Sequence, residues 1–318
     1  MRRGLCQNLL RLFDKTDRKG SEADRRVCRN FIRGDVLRLM TERAYAKINL
    51  TLDVVGKRAD GYHDIKTVMQ TVSLYDIINI ERSENIVITT NKHFIPTDRR
   101  NLVYKACESF FGSVGIKGGA KIELIKRIPV SAGLAGGSSD AAATLRALNR
   151  IYKTRLSDDC LCEIGASFGA DIPFCIGGGT ALCEGIGDII TVLPSLPKMN
   201  VVISSGGEGM STPAMYAEID SRTSLRNIDT DGMVSAIAAR DIAGIVSRLG
   251  NVFEDICTER RPFVGKIKSI MLANGAFGAQ MSGSGPSVFG IFPDKETAVS
   301  CTHMLKKSGY FAFYCTTI

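Results

Sequence analysis

Residues 129–140 read Pro129-Val130-Ser131-Ala132-Gly133-Leu134-Ala135-Gly136-Gly137-Ser138-Ser139-Asp140. Before them, Ile122, Leu124 and Ile128 alternate as a strand that stops at Pro129; after them, Ala141, Leu145, Leu148 and Tyr152 share one face of a helix. A strand–loop–helix of this kind presents the first unsatisfied N–H groups of the helix, with a dipole that favours negative charge. Glycines 133, 136 and 137 let the backbone approach a ligand closely and take positive φ. Ser138 and Ser139 add hydroxyls at the helix start. Together these features predict a phosphate cradle from Pro129 to Ser139, although a tight glycine turn would read the same way in isolation. The loop has no Gly-Lys-Ser/Thr end and no G-x-G-x-x-G spacing, which sets it apart from P-loop NTPases and dinucleotide-binding dehydrogenases.

Working outward, Ile48, Leu50, Leu52 and Val54 alternate with Lys47, Asn49, Thr51 and Asp53, the pattern of a half-buried strand with one polar face. Asp60-Gly61 marks a turn, and apolar strand-like segments follow near 65–80 and 85–90. Asn101 opens a helix whose inner positions are Leu102, Val103, Ala106, Cys107 and Phe110. Ser157 can cap another, with Leu161, Ile164 and Phe168 inside, ending near Gly169. Pro194 and Pro197 bracket a domain junction. Beyond it come a strand at 201–204, a helix start at Thr212-Pro213 with Thr212 as the cap, and helical patterns over 229–273. A strand–turn–strand over 279–292, a helix near 294–307 and a strand near 310–316 complete an α+β chain.

The length of 318 residues suits two domains, expected at 40–196 and 197–318. The net charge of +8 is concentrated in residues 1–39, which hold eleven Lys/Arg against five Asp/Glu and leave only +2 for the rest. That distribution argues against a nucleic-acid-binding surface. The leader has no signal-peptide apolar core, and its five acidic residues do not suit a transit peptide. Strand periodicity begins just after Met40, so the expected functional start is Met40, with residues 1–39 dispensable. Ten cysteines without a CxxC pair, several in apolar surroundings, predict reduced thiols and a cytoplasmic protein. No apolar run reaches the roughly 18 residues of a membrane span, and the sequence sets no oligomeric state.

The loop at 129–140 resembles the phosphate-binding motif of the GHMP kinases, P-x-x-x-G-L-[GA]-G-G-S-S-[DN]; Ala132 and Ala135 stand where glycine is frequent. Ala44-Tyr45-Ala46-Lys47-Ile48-Asn49-Leu50 resembles the first motif of that superfamily, which supplies a lysine and an asparagine to the active site. Gln280-Met281-Ser282-Gly283-Ser284-Gly285-Pro286-Ser287 resembles its third motif, and Gly169-Ala170-Asp171-Ile172-Pro173-Phe174 the segment that carries the catalytic aspartate. Within the superfamily, Gly61-Tyr62-His63 is similar to the segment with which the diphosphocytidyl-methylerythritol kinases contact cytosine. Ser211–Tyr216 and Asn251–Glu254 also match family positions.

The resemblance implies a two-domain GHMP kinase fold: an N-terminal domain like ribosomal protein S5 domain 2 and a ferredoxin-like C-terminal domain. It implies ATP with Mg2+ as phosphoryl donor, held by Pro129, Val130, Ser131, Ala132, Gly133, Leu134, Ala135, Gly136, Gly137, Ser138 and Ser139. No residue cluster reads as a dedicated metal cage. The implied acceptor is a cytidine diphosphate-linked methylerythritol, met by Asn49, Tyr62, His63, Thr212 and Tyr216, with Tyr216 expected opposite Tyr62 and His63 as a second aromatic wall for the cytosine. Asp171 is the expected base and Lys47 its partner, within roughly 2.6–3.2 Å or one water. Asp140 is the alternative base, although its position also suits a first-turn residue complementing the helix dipole. Three other readings remain open at this point: a homoserine or mevalonate-type kinase, an ATP-dependent decarboxylase, and a non-catalytic nucleotide-binding protein.

Overall fold

The computed structural model describes residues 39–209, 211–222 and 225–318. The leader expectation at 1–39 therefore lies, but for its last residue, outside the described residues. The first motif lies on β1 (Met40–Lys57), which pairs antiparallel with the long β2 (His63–Ser83). Their turn is set locally: Asp60 Oδ1 accepts the Tyr62 amide at 3.1 Å, and Gly61 takes φ 87°. The other edge of β2 carries two strands end to end. β4 (Gly119–Ile125) pairs with Ile77–Ser83, and β5 (Thr180–Glu184) with Thr67–Gln70. β3 (Val87–Thr90) and β6 (Ile189–Val192) extend the sheet beyond them.

Helices α1 (Leu102–Val114), α2 (Gly136–Ile151) and α3 (Asp158–Ala166) bury their apolar stripes against this sheet. Asn101 caps α1 through Val103 N at 2.9 Å, and Ser157 caps α3 through Cys160 N at 3.3 Å. Phe110, Leu145 and Ile122 meet at the centre of this layer. Full burial of side chains this size stabilises the fold by about 1.5–3 kcal/mol each. A short helix, α4 (Ile172–Gly177), follows α3 with Pro173 in its first turn.

The chain then enters a second, wholly antiparallel sheet at β7 (Asn200–Ser205). Between β7 and the next strand of that sheet come α5 (Thr212–Ser221), α6 (Thr230–Ala238), α7 (Ile242–Ser247), α8 (Glu254–Arg260) and α9 (Phe263–Ala273). β9 (Gly278–Met281), β10 (Val288–Phe292), α10 (Lys295–Lys307) and β11 (Phe311–Thr316) complete it. The order is β11-β7-β10-β9. Numbered within the sheet this is 4-1-3-2, the ferredoxin-like split βαβ arrangement.

One short strand crosses between the halves. β8 (Gly250–Asn251) leaves the second half to pair parallel with Thr51 and Leu52 of β1. A shared core joins the halves further, with Ile48, Leu50 and Leu74 against Val201, Ile203 and Phe289. The active-site strand therefore has neighbours from both halves. Its polar face is not solvent-exposed as the alternation suggested, since Lys47, Asn49 and Thr51 are all buried. Among the described residues, no helix is long and apolar enough to cross a membrane.

Candidate active site

The glycine-rich loop runs from the end of β4 into α2. Ala135 occupies the N-cap position with φ 53°, and no side chain caps the helix. The first amides of α2, from Gly136 to Ser138, are thus left for a ligand, on a helix end whose dipole favours an anion. Along the loop Val130, Ser131 and Gly137 are exposed, whereas Ala132, Leu134, Gly136 and Ser139 turn inward. Of the two alanines that replace frequent glycines, Ala135 is in the left-handed region and Ala132 is not; Ser131 joins it at φ 52°.

Lys47 meets this loop through its backbone, its amide donating to Leu134 O at 3.2 Å. Its ammonium donates to Asn49 Oδ1 at 2.7 Å and stands 3.9 Å from Asp171 Oδ2. The Lys47–Asp171 pair is therefore together, but beyond direct hydrogen-bonding range because the short bond goes to Asn49. Asn49 is fixed in turn by Thr67 Oγ1 at 2.8 Å. Asp171 is the N-cap residue of α4 without capping it, which leaves its carboxylate free of a local backbone bond. About a third of the Asp171 side chain is accessible (34%), against 5% for Lys47. The lysine is locked, and the aspartate is open to solvent.

The third motif closes the other side. Ser282 Oγ accepts from Asn49 N at 3.2 Å and donates to Gly133 O at 2.9 Å, tying three motifs through one hydroxyl. The approach demands glycine: a Cβ on Gly133, which has φ 76°, would collide with the Ser282 carbonyl. Asn251 braces the turn, donating to Met281 O at 2.9 Å and Gly283 O at 2.8 Å. Thr212 Oγ1 lies 3.1 Å from Ser284 Oγ at the rim. Ser211, one residue earlier than expected, caps α5 through Ala214 N.

At the tip of the β1–β2 hairpin Tyr62 is 63% exposed and His63 is buried. The His63 ring stacks on Tyr216 with centroids 4.6 Å apart and planes at 17°, and Tyr216 meets Phe253 edge-on at 5.1 Å. Rings in direct stacking contact leave no space for a third between them. Tyr216 is thus not placed opposite His63 across a base-sized gap; Tyr62 supplies the open aromatic face. His63 Nε2 is held by Asp220 at 2.8 Å. Burial pushes the Tyr216 hydroxyl up to about 12, and the nearby Asp171 charge adds to the shift.

Residues 101–179 match the family model for the GHMP kinases N terminal domain, and residues 233–310 that for GHMP kinases C terminal. The 4-diphosphocytidyl-2-C-methyl-D-erythritol kinase of Caldicellulosiruptor saccharolyticus is 49% identical over 84% of this chain and 93% of its own. That of Clostridium novyi is 45% identical, over 86% and 98%. The chain belongs to the 4-diphosphocytidyl-2-C-methyl-D-erythritol kinase family of GHMP kinases. A crystal structure of 4-(cytidine 5'-diphospho)-2C-methyl-D-erythritol kinase superposes with a TM-score of 0.75 at 30% identity, covering 87% of this chain and 99% of that one. A homoserine kinase from Cytophaga hutchinsonii reaches 0.73 at 18%, covering 90% and 96%, a likeness of fold alone.

Two side chains of this kinase behave differently from the sequence reading. Ser139 Oγ donates to Tyr45 O on β1, and its amide closes a helical bond to Ala135 O at 2.8 Å. Neither group is then free for phosphate, so Ser139 fastens α2 to the active-site strand. Asp140 lies beyond the first turn of α2, is buried, and accepts from Lys126 Nζ at 2.6 Å. It neither complements the dipole from the first turn nor faces the cleft as a base. Sequence reasoning passed over Lys126, Asp76 and the bracing role of Asn251. The signals present were a lone Asp76 inside the apolar run of β2 and a Lys-Arg pair where β4 gives way to the loop.

Proposed function

We propose that the kinase transfers the γ-phosphoryl group of ATP to the 2-hydroxyl of 4-diphosphocytidyl-2-C-methyl-D-erythritol. The observation that carries this reading is the Lys47–Asp171 pair, 3.9 Å apart beside the uncapped start of α2. An acceptor oxygen about 2.8 Å from each group fits that separation, accepting from the ammonium and donating to the carboxylate. Asp171 takes the hydroxyl proton as the oxygen attacks phosphorus, while Lys47 orients the oxygen. The amides of Gly136, Gly137 and Ser138 carry the triphosphate charge, which supplies much of the stabilisation in phosphoryl transfer.

Mg2+ accompanies ATP in this proposal. Among the described residues no three His, Cys, Asp or Glu side chains gather to hold a metal. The donors that fit are the phosphate oxygens, water and the Ser138 hydroxyl at the loop rim, a set that suits a hard cation which keeps several waters. When bound, the ion neutralises phosphate charge. The cytosine stacks on Tyr62, with His63 offering Nδ1 and Thr212 standing at the rim. The partner is this small molecule, without nucleic acid or membrane. The buried thiols Cys107, Cys183, Cys257, Cys301 and Cys315 are free, which supports a cytoplasmic setting.

An ADP-release assay with diphosphocytidyl-methylerythritol, homoserine and mevalonate as acceptors tests the reading. Turnover is expected with the first alone. Preferential turnover of either other acceptor, or carbon dioxide among the products, would overturn it.

A further inference from the structure

Behind the phosphate loop lies a second charged cluster that the proposed mechanism does not use. Asp76 comes from β2, Lys126 from the residue after β4 and Asp140 from α2, and all three are at least 95% buried. Lys126 Nζ donates to Asp76 Oδ2 and, at 2.6 Å, to Asp140 Oδ2. Asp76 Oδ1 accepts the amides of Arg127 and Ile128, the two residues before Pro129. One carboxylate thus fixes the point where the loop leaves the sheet, and the lysine carries that link to the helix where the loop ends. The ammonium also lies close under the loop's last residues: a Cβ on Gly136 would be 3.2 Å from Nζ and 3.1 Å from Ile128 Cγ2.

Net stability is a poor reason for such a cluster, because desolvation offsets most of the attraction between buried charges. Fixed geometry is the better one. The charge balance also suits an anion site. Burial drives the Asp140 carboxyl well above its ordinary range, with Lys126 opposing the shift and Asp76 adding to it. Burial and the second carboxylate thus disfavour another full negative charge beside the place where phosphates bind, while Oδ2 accepts from Lys126.

We propose that Lys126, bridging Asp76 and Asp140, is a positioning clamp for ATP. It holds the two ends of the 129–139 loop in the register at which the amides of Gly136 to Ser138 meet the phosphates. The proposal rests on the reading of that loop as the phosphate site.

Asp140→Ala tests it, because Lys126 and Asp76 remain as a charge-balanced pair while the far end of the loop is cut loose. The KM for ATP rises about tenfold or more, the scale of one charge-assisted hydrogen bond. The KM for the acceptor stays within about twofold, since its contacts lie elsewhere. Asp140→Asn keeps an oxygen for Lys126 and brings the ATP KM back to within about threefold of wild type. Lys126→Gln is a second cut and gives the same selective rise. Gly137→Glu is the control: a carboxylate there suits the helix start but repels phosphate, so it raises the ATP KM if the loop binds ATP.

A rise with Gly137→Glu and none with Asp140→Ala or Lys126→Gln overturns the clamp and spares the phosphate reading. No rise with Gly137→Glu overturns both. Equal rises for ATP and acceptor, or an Asp140→Asn protein as impaired as Asp140→Ala, overturn the clamp in favour of a role in the fold. So does unfolding of both cut variants by near-ultraviolet circular dichroism while Asp140→Asn stays folded.

Discussion

Asp171→Asn is the most direct test of the chemical step. The substitution keeps the shape of the side chain and removes its ability to take a proton. Asp171 makes no capping bond to α4, and Lys47 stands 3.9 Å from it. At an effective dielectric of about 20 that separation corresponds to roughly 4 kcal/mol of gross attraction. Solvent reduces the figure, because a third of the Asp171 side chain is accessible. Lys47 also keeps its 2.7 Å bond to Asn49, so the variant is expected to fold with a melting temperature close to wild type. A general base contributes about 10²–10⁴ in rate, and kcat should fall by that factor. The KM for ATP should hardly change, because the loop amides are untouched.

The assay is steady-state ADP release, with ATP binding followed separately by calorimetry. A folded variant that retains more than about a tenth of wild-type turnover refutes the base assignment, since even a modest base is worth more than that.

Four further outcomes follow from the same geometry. Lys47→Ala should also be severe, and Lys47→Ala/Asp171→Asn should lose less than the product of the single losses, because groups acting on one oxygen are not additive; multiplicative kcat losses would count against a shared role. Tyr62→Ala should raise the acceptor KM by about 5- to 150-fold, the equivalent of ~1–3 kcal/mol of base stacking, with the ATP KM unchanged; equal weakening of both would point away from a base wall. Ala135→Gly relieves a left-handed alanine and should stabilise the protein by about 1 kcal/mol, read as a higher denaturant midpoint at constant slope; no gain would mean the φ of 53° is not strained. Residues 40–318 expressed alone should match the full chain in activity and melting temperature, and an inactive or insoluble product would show that the leader matters.

The sequence carried the elements further than the contacts. Local chemistry was enough for the caps at Asn101 and Ser157 and for the turn at Asp60-Gly61, because each depends on residues a few positions apart. The 4-1-3-2 order of the second sheet follows from strand and helix succession once the resemblance is known. What could not be read was where a polar residue sends its side chain. Lys47, Asn49 and Thr51 alternate like an exposed face, yet that face is closed by groups more than a hundred residues away, Asp171 and Ser282 among them. Ser139 and Asp140 sit in a phosphate motif, yet β1 and Lys126 claim their polar groups first. The ring of Tyr216 looked like a second wall for a base, and His63 already lies against it. In each case the deciding partner lies outside the element's own repeat, and no periodicity records it.

The same distance explains why the three motifs need one another. A glycine-rich loop at a helix start suits an anion, but phosphoryl transfer also requires a base and its lysine at a fixed displacement from that anion. Here the relation of the Lys47 strand to the loop is set by backbone rather than by long side chains. The Lys47 amide bonds Leu134 O, so the strand carrying the lysine and the glycine-rich loop move together. Ser282 bonds Asn49 N and Gly133 O, locking the same strand and loop from the second half of the chain. Asn251, on a strand that crosses between the halves, holds the Ser282 turn by two of its carbonyls. Every link is a short polar contact with a group of the main chain, which has far less freedom than a lysine or arginine tip. A closed circuit of such links holds the Lys47 strand, the glycine-rich loop and the third motif in one fixed relation. It also accounts for glycine at 133, where a side chain would push the third motif away and break the circuit at its tightest point.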